Sequence, residues 1–303
     1  MSRFYVILKL PMIVHILANP NAGSHSAESI IDQLKKTYPQ VDFKTYLTQG
    51  KHDEKVQIQK ILEGYGDGDR LLILGGDGTL SKSLTDWPSQ LPFAYYPTGS
   101  GNDFAKSMKI REIDTVLTAL LTEKTQSICV LKTSFGIIVN SMDAGFAAQV
   151  IARSESSKLK NWLKRVKVSK LTYLIMAIRS LLDAQSLTVD AVIDGQEQQL
   201  KNLFFLSLAN NTYFGGGIMI WPEASAYEQK IDLVYIENGP IHRRVLALLD
   251  LVLKRHKKSK YIKHLQCQTI SIKTSQQILF QTDGEMLAGT EFALTCQERK
   301  IYL

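Results

Sequence analysis

The stretch Arg70–Leu80, RLLILGGDGTL, constrains this chain more than any other. Leu71 to Leu74 is a short apolar run that follows the turn-rich GYGDGD and stops at a glycine cluster, so it reads as a buried strand. The strand opens into Gly75, Gly76, Asp77, Gly78 and Thr79, followed by Leu80 and Ser81. Three glycines in four positions let the backbone take positive φ or approach another group closely. Bare N–H groups at a strand-to-helix turn form a concavity for an anion. Asp77 adds a carboxylate inside that ring, where a phosphate chain could be bridged through Mg²⁺. A tight turn with no ligand fits these residues equally well, because glycine-rich loops are common.

A second stretch, Pro97–Ala105, reads PTGSGNDFA and follows the strand-like run Phe93 to Tyr96. It sets Gly99, Ser100 and Gly101 against Asn102 and Asp103. Two such loops, each ending a strand, are what two strands of an open parallel sheet offer at their carboxyl edge, where α/β folds bind ligands. Together, GGDGTL and PTGSGNDFA resemble the diacylglycerol kinase catalytic domain of bacterial lipid kinases, a family whose fold is shared with NAD kinases. The resemblance implies an α/β N-terminal domain with an open parallel sheet and a β-rich C-terminal domain. It implies ATP-dependent phosphorylation of a lipid hydroxyl, on diacylglycerol or a related lipid, with ATP and Mg²⁺ as cofactors. GGDG also occurs in NAD kinases, so an NAD kinase is one alternative. A non-catalytic membrane-binding regulator on the same scaffold is another.

Composition narrows the rest. The 303 residues are 45% apolar and 21% charged, enough for one large or two modest globular domains. Cys129, Cys267 and Cys296 are widely spaced and form no CxxC, which supports neither a disulfide framework nor a zinc site and fits a reducing cytoplasm. There is no HExxH, GxSxG or GxxxxGK[ST], and GSGNDF lacks the last glycine of GxGxxG. A net charge of +7 points to an anionic partner. With a lipid acceptor, that partner is an anionic membrane surface met peripherally, from the cytoplasmic side of the inner membrane. Nucleic acid is set aside, because only Trp162 and Tyr261 offer stacking rings within the basic runs. A homodimer is a further candidate assembly. Lys9, Pro11 and His15 interrupt the apolar N-terminus, so it reads as strand rather than signal peptide.

Along the chain, a first strand Ile13 to Ala18 leads into Asn19, Pro20, Asn21, Ala22 and Gly23, which resemble the family's first nucleotide-contacting loop. Val41 to Leu47 reads as a second strand ending at Thr48, where the family often places a Thr near the nucleotide. Strand and helix alternate through residue 125, so a parallel sheet with covering helices is expected, which the resemblance makes a nucleotide-binding domain 1–125. Residues 126–290 form the lipid-acceptor domain, and the resemblance implies that 291–303 return to the first. Strands are expected at Leu265 to Lys273, Gln277 to Gln281, Phe292 to Gln297 and Lys300 to Leu303. Ser141 to Val150 reads as a loop opening a helix, with Asn140 and Gly145 matching a family Asn and Gly. Asp194-Gly195 reads as a hairpin turn, and Gly215-Gly216-Gly217 as a close approach or sharp bend. Two runs, Lys158 to Lys170 and Lys254 to Lys263, each carry six basic residues and no acid. Such runs are solvated faces or, with Trp162 and Leu163 beside the first, a membrane-facing surface.

Two regions separate the residues from the resemblance. Where the family has an Asp-Gly pair whose Asp helps hold a structural Mg²⁺, this chain has Glu228-Gln229, with Ser225 and Lys230 at the positions of the carbonyl ligands. The longer arm and lost glycine put that metal site in doubt. Thr282-Asp283-Gly284-Glu285 reads on its residues as hairpin punctuation. The resemblance makes Glu285 the proton acceptor, oriented by Asp283. It also gives Gly75, Gly76 and Gly78 as N–H donors to phosphates, Thr79, Ser100 and Asn102 as nucleotide partners, and Asp77 and Asp103 as groups that engage Mg²⁺.

Overall fold

The computed structural model describes residues 12–23, 26–150, 181–182 and 186–303. The expected strand before Met12, the first basic run and the helix expected from Leu171 lie outside these residues. The chain divides into two compact units. One runs to Val130 and takes in Gln297–Leu303, and the other is Leu131–Cys296.

In the first unit, strands β1 (Ile13–Ala18), β2 (Asp42–Leu47), β3 (Arg70–Gly75) and β4 (Ala94–Pro97) form a parallel sheet in the order β2-β1-β3-β4. Its centre is apolar on both faces. Leu71, Leu72, Ile73 and Leu74 of β3 are fully buried, as a continuous hydrophobic run in a covered parallel sheet must be. Helices α1 (Ala27–Thr37), α2 (Glu54–Glu63), α3 (Asp77–Asp86), α4 (Asp103–Ser107) and α5 (Ile113–Leu121) follow in chain order. From β1 the chain moves outward to β2, then crosses back to β3 on the other side. That reversal is the topological switch point at which open sheets leave a crevice between loops. The last residues belong here. Ile301 bridges Phe93 in parallel, and the buried Arg299 donates to Leu84 O at 2.6 Å and Trp87 O at 2.8 Å. A guanidinium on those carbonyls closes the C-terminus of α3 and complements its dipole.

The second unit is built on β6 (Gly136–Ile138), β7 (Ser141–Gly145), β8 (Leu187–Ile193), β9 (Gln196–Ala209), β12 (Ile231–Glu237), β13 (Ile262–Cys267), β14 (Thr269–Thr282), the end of β5 (Thr125–Thr133) and most of β15 (Glu285–Tyr302). The hairpin β10 (Tyr213–Phe214) and β11 (Ile218–Met219) stands apart, its three glycines all at positive φ as the expected bend requires. Both β7 and β8 pair with β9 and with β14, so these four strands close a ring. One further helix, α6 (Ile241–Val252), packs Ala247 and Leu251 onto a core that includes Phe204, Phe205, Trp221 and Val234. Among the described residues no helix is long and apolar enough to cross a membrane.

Three expectations are corrected. Ser141–Gly145 is a strand, because it pairs with β9 along its whole length and with β14 at Met142, Asp143 and Ala144. The expected strand Leu265 to Lys273 breaks at Gln268, where the Asp194 carboxylate takes the N–H groups of Gln268 and Thr269 at 2.9 Å each. The two short terminal strands are one, β15, running from Glu285 to Tyr302. Cys129 and Cys296 are disulfide-bonded on β5 and β15, whereas Cys267 is free and buried. The sequence reading, which supported no disulfide framework, is corrected here as well.

Candidate active site

Three loops of the first unit meet at the carboxyl edge of β1, β3 and β4. The Asn19 N–H donates to Leu74 O at 3.0 Å, which fixes the chain leaving β1 beside the end of β3. The Asn19 amide then donates to Thr79 Oγ1 at 3.1 Å, on the first turn of α3. The Thr98 N–H donates to Gly75 O at 2.8 Å, drawing in the loop after β4. Glycine is required by proximity here. A Cβ on Gly99 would lie 2.6 Å from Gly76 Cα, and one on Gly23 would lie 2.5 Å from Thr98 O. The N-terminus of α3, which no side chain of its N-cap residue closes, brings the positive end of its dipole among these loops.

Asp77 joins the second and third loops. Its Oδ2 accepts the Asp103 N–H at 2.9 Å and its Oδ1 the Phe104 N–H at 3.2 Å, so it caps the start of α4 from another element. Asn102, at φ 54°, precedes that turn and donates from its amide to Gly99 O at 2.6 Å. The buried Asp103 faces Lys106 at 3.1 Å. Thr79 is buried, Ser81 half-buried and Ser100 exposed, while Thr48 is buried with its N–H on Ala18 O. Two buried oxygens, Thr98 Oγ1 and Asn102 Oδ1, lack a hydrogen-bond partner among the described residues. Buried polar atoms are rarely left so.

In the second unit the turn Asp283-Gly284 joins β14 to β15 with both residues at positive φ, the geometry of a tight hairpin. Asp283 Oδ2 accepts the Val139 N–H at 2.7 Å and Oδ1 the Asn140 N–H at 3.0 Å. Asp283 therefore anchors the turn's backbone to the segment entering β7, and Glu285 is positioned through that backbone. Beneath the turn, Ser207 on β9, Asp143 on β7 and Gln281 on β14 are direct cross-strand neighbours. Asp143 is fully buried and accepts from Ser207 Oγ at 2.5 Å and Ser141 Oγ at 2.7 Å. The Gln281 amide is oriented by its neighbours, with its nitrogen 2.6 Å from Asp143 Oδ2 and its oxygen 2.7 Å from the Gly284 N–H. Burial pushes the Asp143 carboxyl up to about 7 against the two hydroxyls that lower it. Asn211 closes the other flank, donating to Val139 O at 2.9 Å and Asn140 Oδ1 at 3.3 Å.

The residues matched to a structural metal site do not fit one. The Glu228 N–H donates to Ser225 O at 3.0 Å, and the Glu228 carboxylate faces the Lys230 ammonium at 3.4 Å, where it would compete with a cation. Glu228 and Lys230 are each about half exposed, and no three His, Cys, Asp or Glu side chains group for a metal among the described residues. Asp77 and Asp103 are in a better place. They lie on the loops that follow β3 and β4, at the carboxyl edge of the first unit's sheet.

Residues 13–133 match the diacylglycerol kinase catalytic domain, and residues 140–302, more than half of the chain, match the YegS C-terminal NAD kinase beta sandwich-like domain. The chain belongs to the diacylglycerol kinase catalytic-domain family. A Staphylococcus carnosus relative named diacylglycerol kinase is 22% identical over 281 residues, covering 89% of this chain and 87% of its own. A solved structure of a diacylglycerol kinase from Bacillus anthracis shares the fold with a TM-score of 0.68 at 17% identity, over 97% of both chains. The sequence reading of this diacylglycerol kinase family member missed Thr98, Asp143, Ser207 and Gln281. Thr98 sits within a motif already singled out. The other three lie on three different strands, and only the strand register brings them together.

Proposed function

We infer that this protein transfers the γ-phosphoryl group of ATP to the hydroxyl of a membrane lipid, with diacylglycerol or a related lipid as acceptor. The observation that carries the reading is the three-loop junction at the switch point, where α3 points its N-terminus into a ring of glycines and two buried oxygens await a partner. ATP arrives as its Mg²⁺ complex, the ion serving to neutralise phosphate charge. Asp77 and Asp103 are the groups we assign to meet it. Phosphoryl transfer asks a protein mainly for positioning and charge neutralisation. We assign phosphate contacts to the N–H groups of Gly75, Gly76 and Gly78, and nucleotide contacts to Asn19, Pro20, Asn21, Ala22, Gly23, Thr48, Thr79, Leu80, Ser81, Ser100 and Asn102.

Glu285 is assigned as the base. Its carboxylate takes the acceptor's hydroxyl proton as the oxygen bonds to the γ-phosphorus, and the bond from phosphorus to the β–γ bridging oxygen breaks to leave ADP. Because a long-chain lipid is scarcely soluble and ATP is drawn from the cytoplasm, we place the reaction on the inner face of a membrane. The test is incubation with labelled ATP, Mg²⁺ and a total lipid extract, with NAD offered separately. A labelled lipid phosphate is the expected product. Labelled NADP without labelled lipid would overturn the assignment.

A further inference from the structure

The outward face of α6 is apolar where a soluble surface would be polar. Ile241, Val245, Leu246, Leu249, Val252 and Leu253 are all exposed, Val252 at 67% and Leu253 at 54%. At about 100° per residue the six side chains fall within an arc of roughly 140°, opposite the buried Ala247 and Leu251. A large exposed apolar stripe of this kind marks an interaction surface. Basic residues adjoin it. Lys254, Arg255, Lys257, Lys258, Lys260 and Lys263 follow directly, with Lys257 paired to Glu223. Arg243, Lys260 and Lys263 also line a cavity of about 300 Å³ beside Glu237 and Asn238. The buried His256 fixes this turn by facing Met219 O at 2.9 Å, so the charges are held against the end of the helix.

We propose that α6 and the basic turn behind it form the docking element for an anionic lipid bilayer, an inference that rests on the lipid-kinase reading. The helix lies along the membrane plane, with Leu246, Leu249, Val252 and Leu253 entering at headgroup depth and the lysines and arginines meeting lipid phosphates. Charge complementarity selects this occupant. A second copy of the chain would bring the same positive charge to the interface, whereas an anionic bilayer supplies the apolar and the negative component together.

The full-length protein is sedimented with vesicles of phosphatidylcholine alone and with vesicles carrying about 30 mol % phosphatidylglycerol. Both are tested at low salt and at about 0.5 M NaCl. Phosphorylation of diacylglycerol in detergent mixed micelles is measured in parallel. The expected result is binding to the anionic vesicles, about tenfold weaker in high salt. The paired change Leu249→Glu and Val252→Glu alters only exposed side chains and should weaken vesicle binding a further tenfold or so, with micellar turnover within about twofold. Changing Lys254, Arg255 and Lys258 to Gln should remove the salt-sensitive part of binding alone. Equal binding by the Glu variant, or equal binding of wild type to both vesicles, would refute the docking element. So would a dimer that the Glu variant splits while vesicle binding is unchanged. A protein that binds anionic vesicles through this stripe yet labels no lipid would keep the docking element and refute the kinase reading.

Discussion

Two Asp-Gly turns in the second unit share one local design and part company in their surroundings. Asp194-Gly195 joins β8 to β9 and Asp283-Gly284 joins β14 to β15, each with both residues at positive φ. Each aspartate spans two consecutive backbone N–H groups, Gln268 and Thr269 for Asp194, Val139 and Asn140 for Asp283. At Asp194 those donors hold the carboxyl below the usual range, Thr269 foremost. The Asp194 turn lies in solvent and is followed by Gln196. The Asp283 turn stands over the buried Ser207–Asp143–Gln281 row, which reaches the Gly284 N–H, and is followed by Glu285. Asp77 repeats the device between the loops that follow β3 and β4. Spanning two N–H groups is therefore a general way for this chain to fix one segment on another, and function follows from what the fixed segment carries.

The comparison can be broken at several points, the largest effect first. Asp77→Asn removes one of two charge-assisted bonds to α4, leaves the other without its charge, and removes the carboxylate assigned to face the nucleotide's metal. Turnover should fall by two orders of magnitude or so, with the far-ultraviolet spectrum unchanged. Wild-type-like turnover would make Asp77 a structural clasp only. Glu285→Gln should lower kcat by roughly a hundredfold with ATP affinity little changed, while Gln196→Ala after the other turn should do nothing measurable. Collapse of ATP affinity instead would make Glu285 a structural turn residue.

Truncating the two aspartates sharpens the contrast. Asp283→Ala leaves the buried Val139 and Asn140 N–H groups without their acceptor and should cost about 2 to 4 kcal/mol in chemical denaturation, with a matching loss of turnover. Asp194→Ala should give a smaller loss of stability and normal turnover. Equal losses in both assays would erase the distinction. The smallest effect belongs to Asp143. Its folded pKa is raised from 3.8 to about 7, so the folded protein holds a proton there that the unfolded chain releases between about pH 4 and 7. Its contribution to stability is fully present below about pH 4 and declines as pH rises through about 7. Melting temperature measured from pH 5 to 8 should fall more steeply in wild type than in Asp143→Asn. Parallel curves would show that Asp143 does not titrate in this window.

Much of the first unit was legible because parallel α/β units write themselves locally. Buried strands are continuous apolar runs, and loops that bring backbones together need glycine, so GGDGTL and PTGSGNDFA announced a sheet edge. The long antiparallel sheet was harder. The break at Gln268 was invisible because its cause, Asp194, is 74 residues away. The Ser141–Gly145 strand has no apolar alternation, since its place between β9 and β14 is set by register.

The sequence by itself determined the glycine loops, the hairpin punctuation at both Asp-Gly pairs and the family to which the chain belongs, because these rest on backbone freedom and on residues close together in the chain. Only the tertiary structure decided that one of those turns lies over a buried carboxyl and that the leucines of α6 divide between core and solvent. It also decided that the Glu228 carboxylate faces the Lys230 ammonium. Each of these depends on which distant groups are within a few ångströms, and hydrogen bonding and desolvation act only at that range.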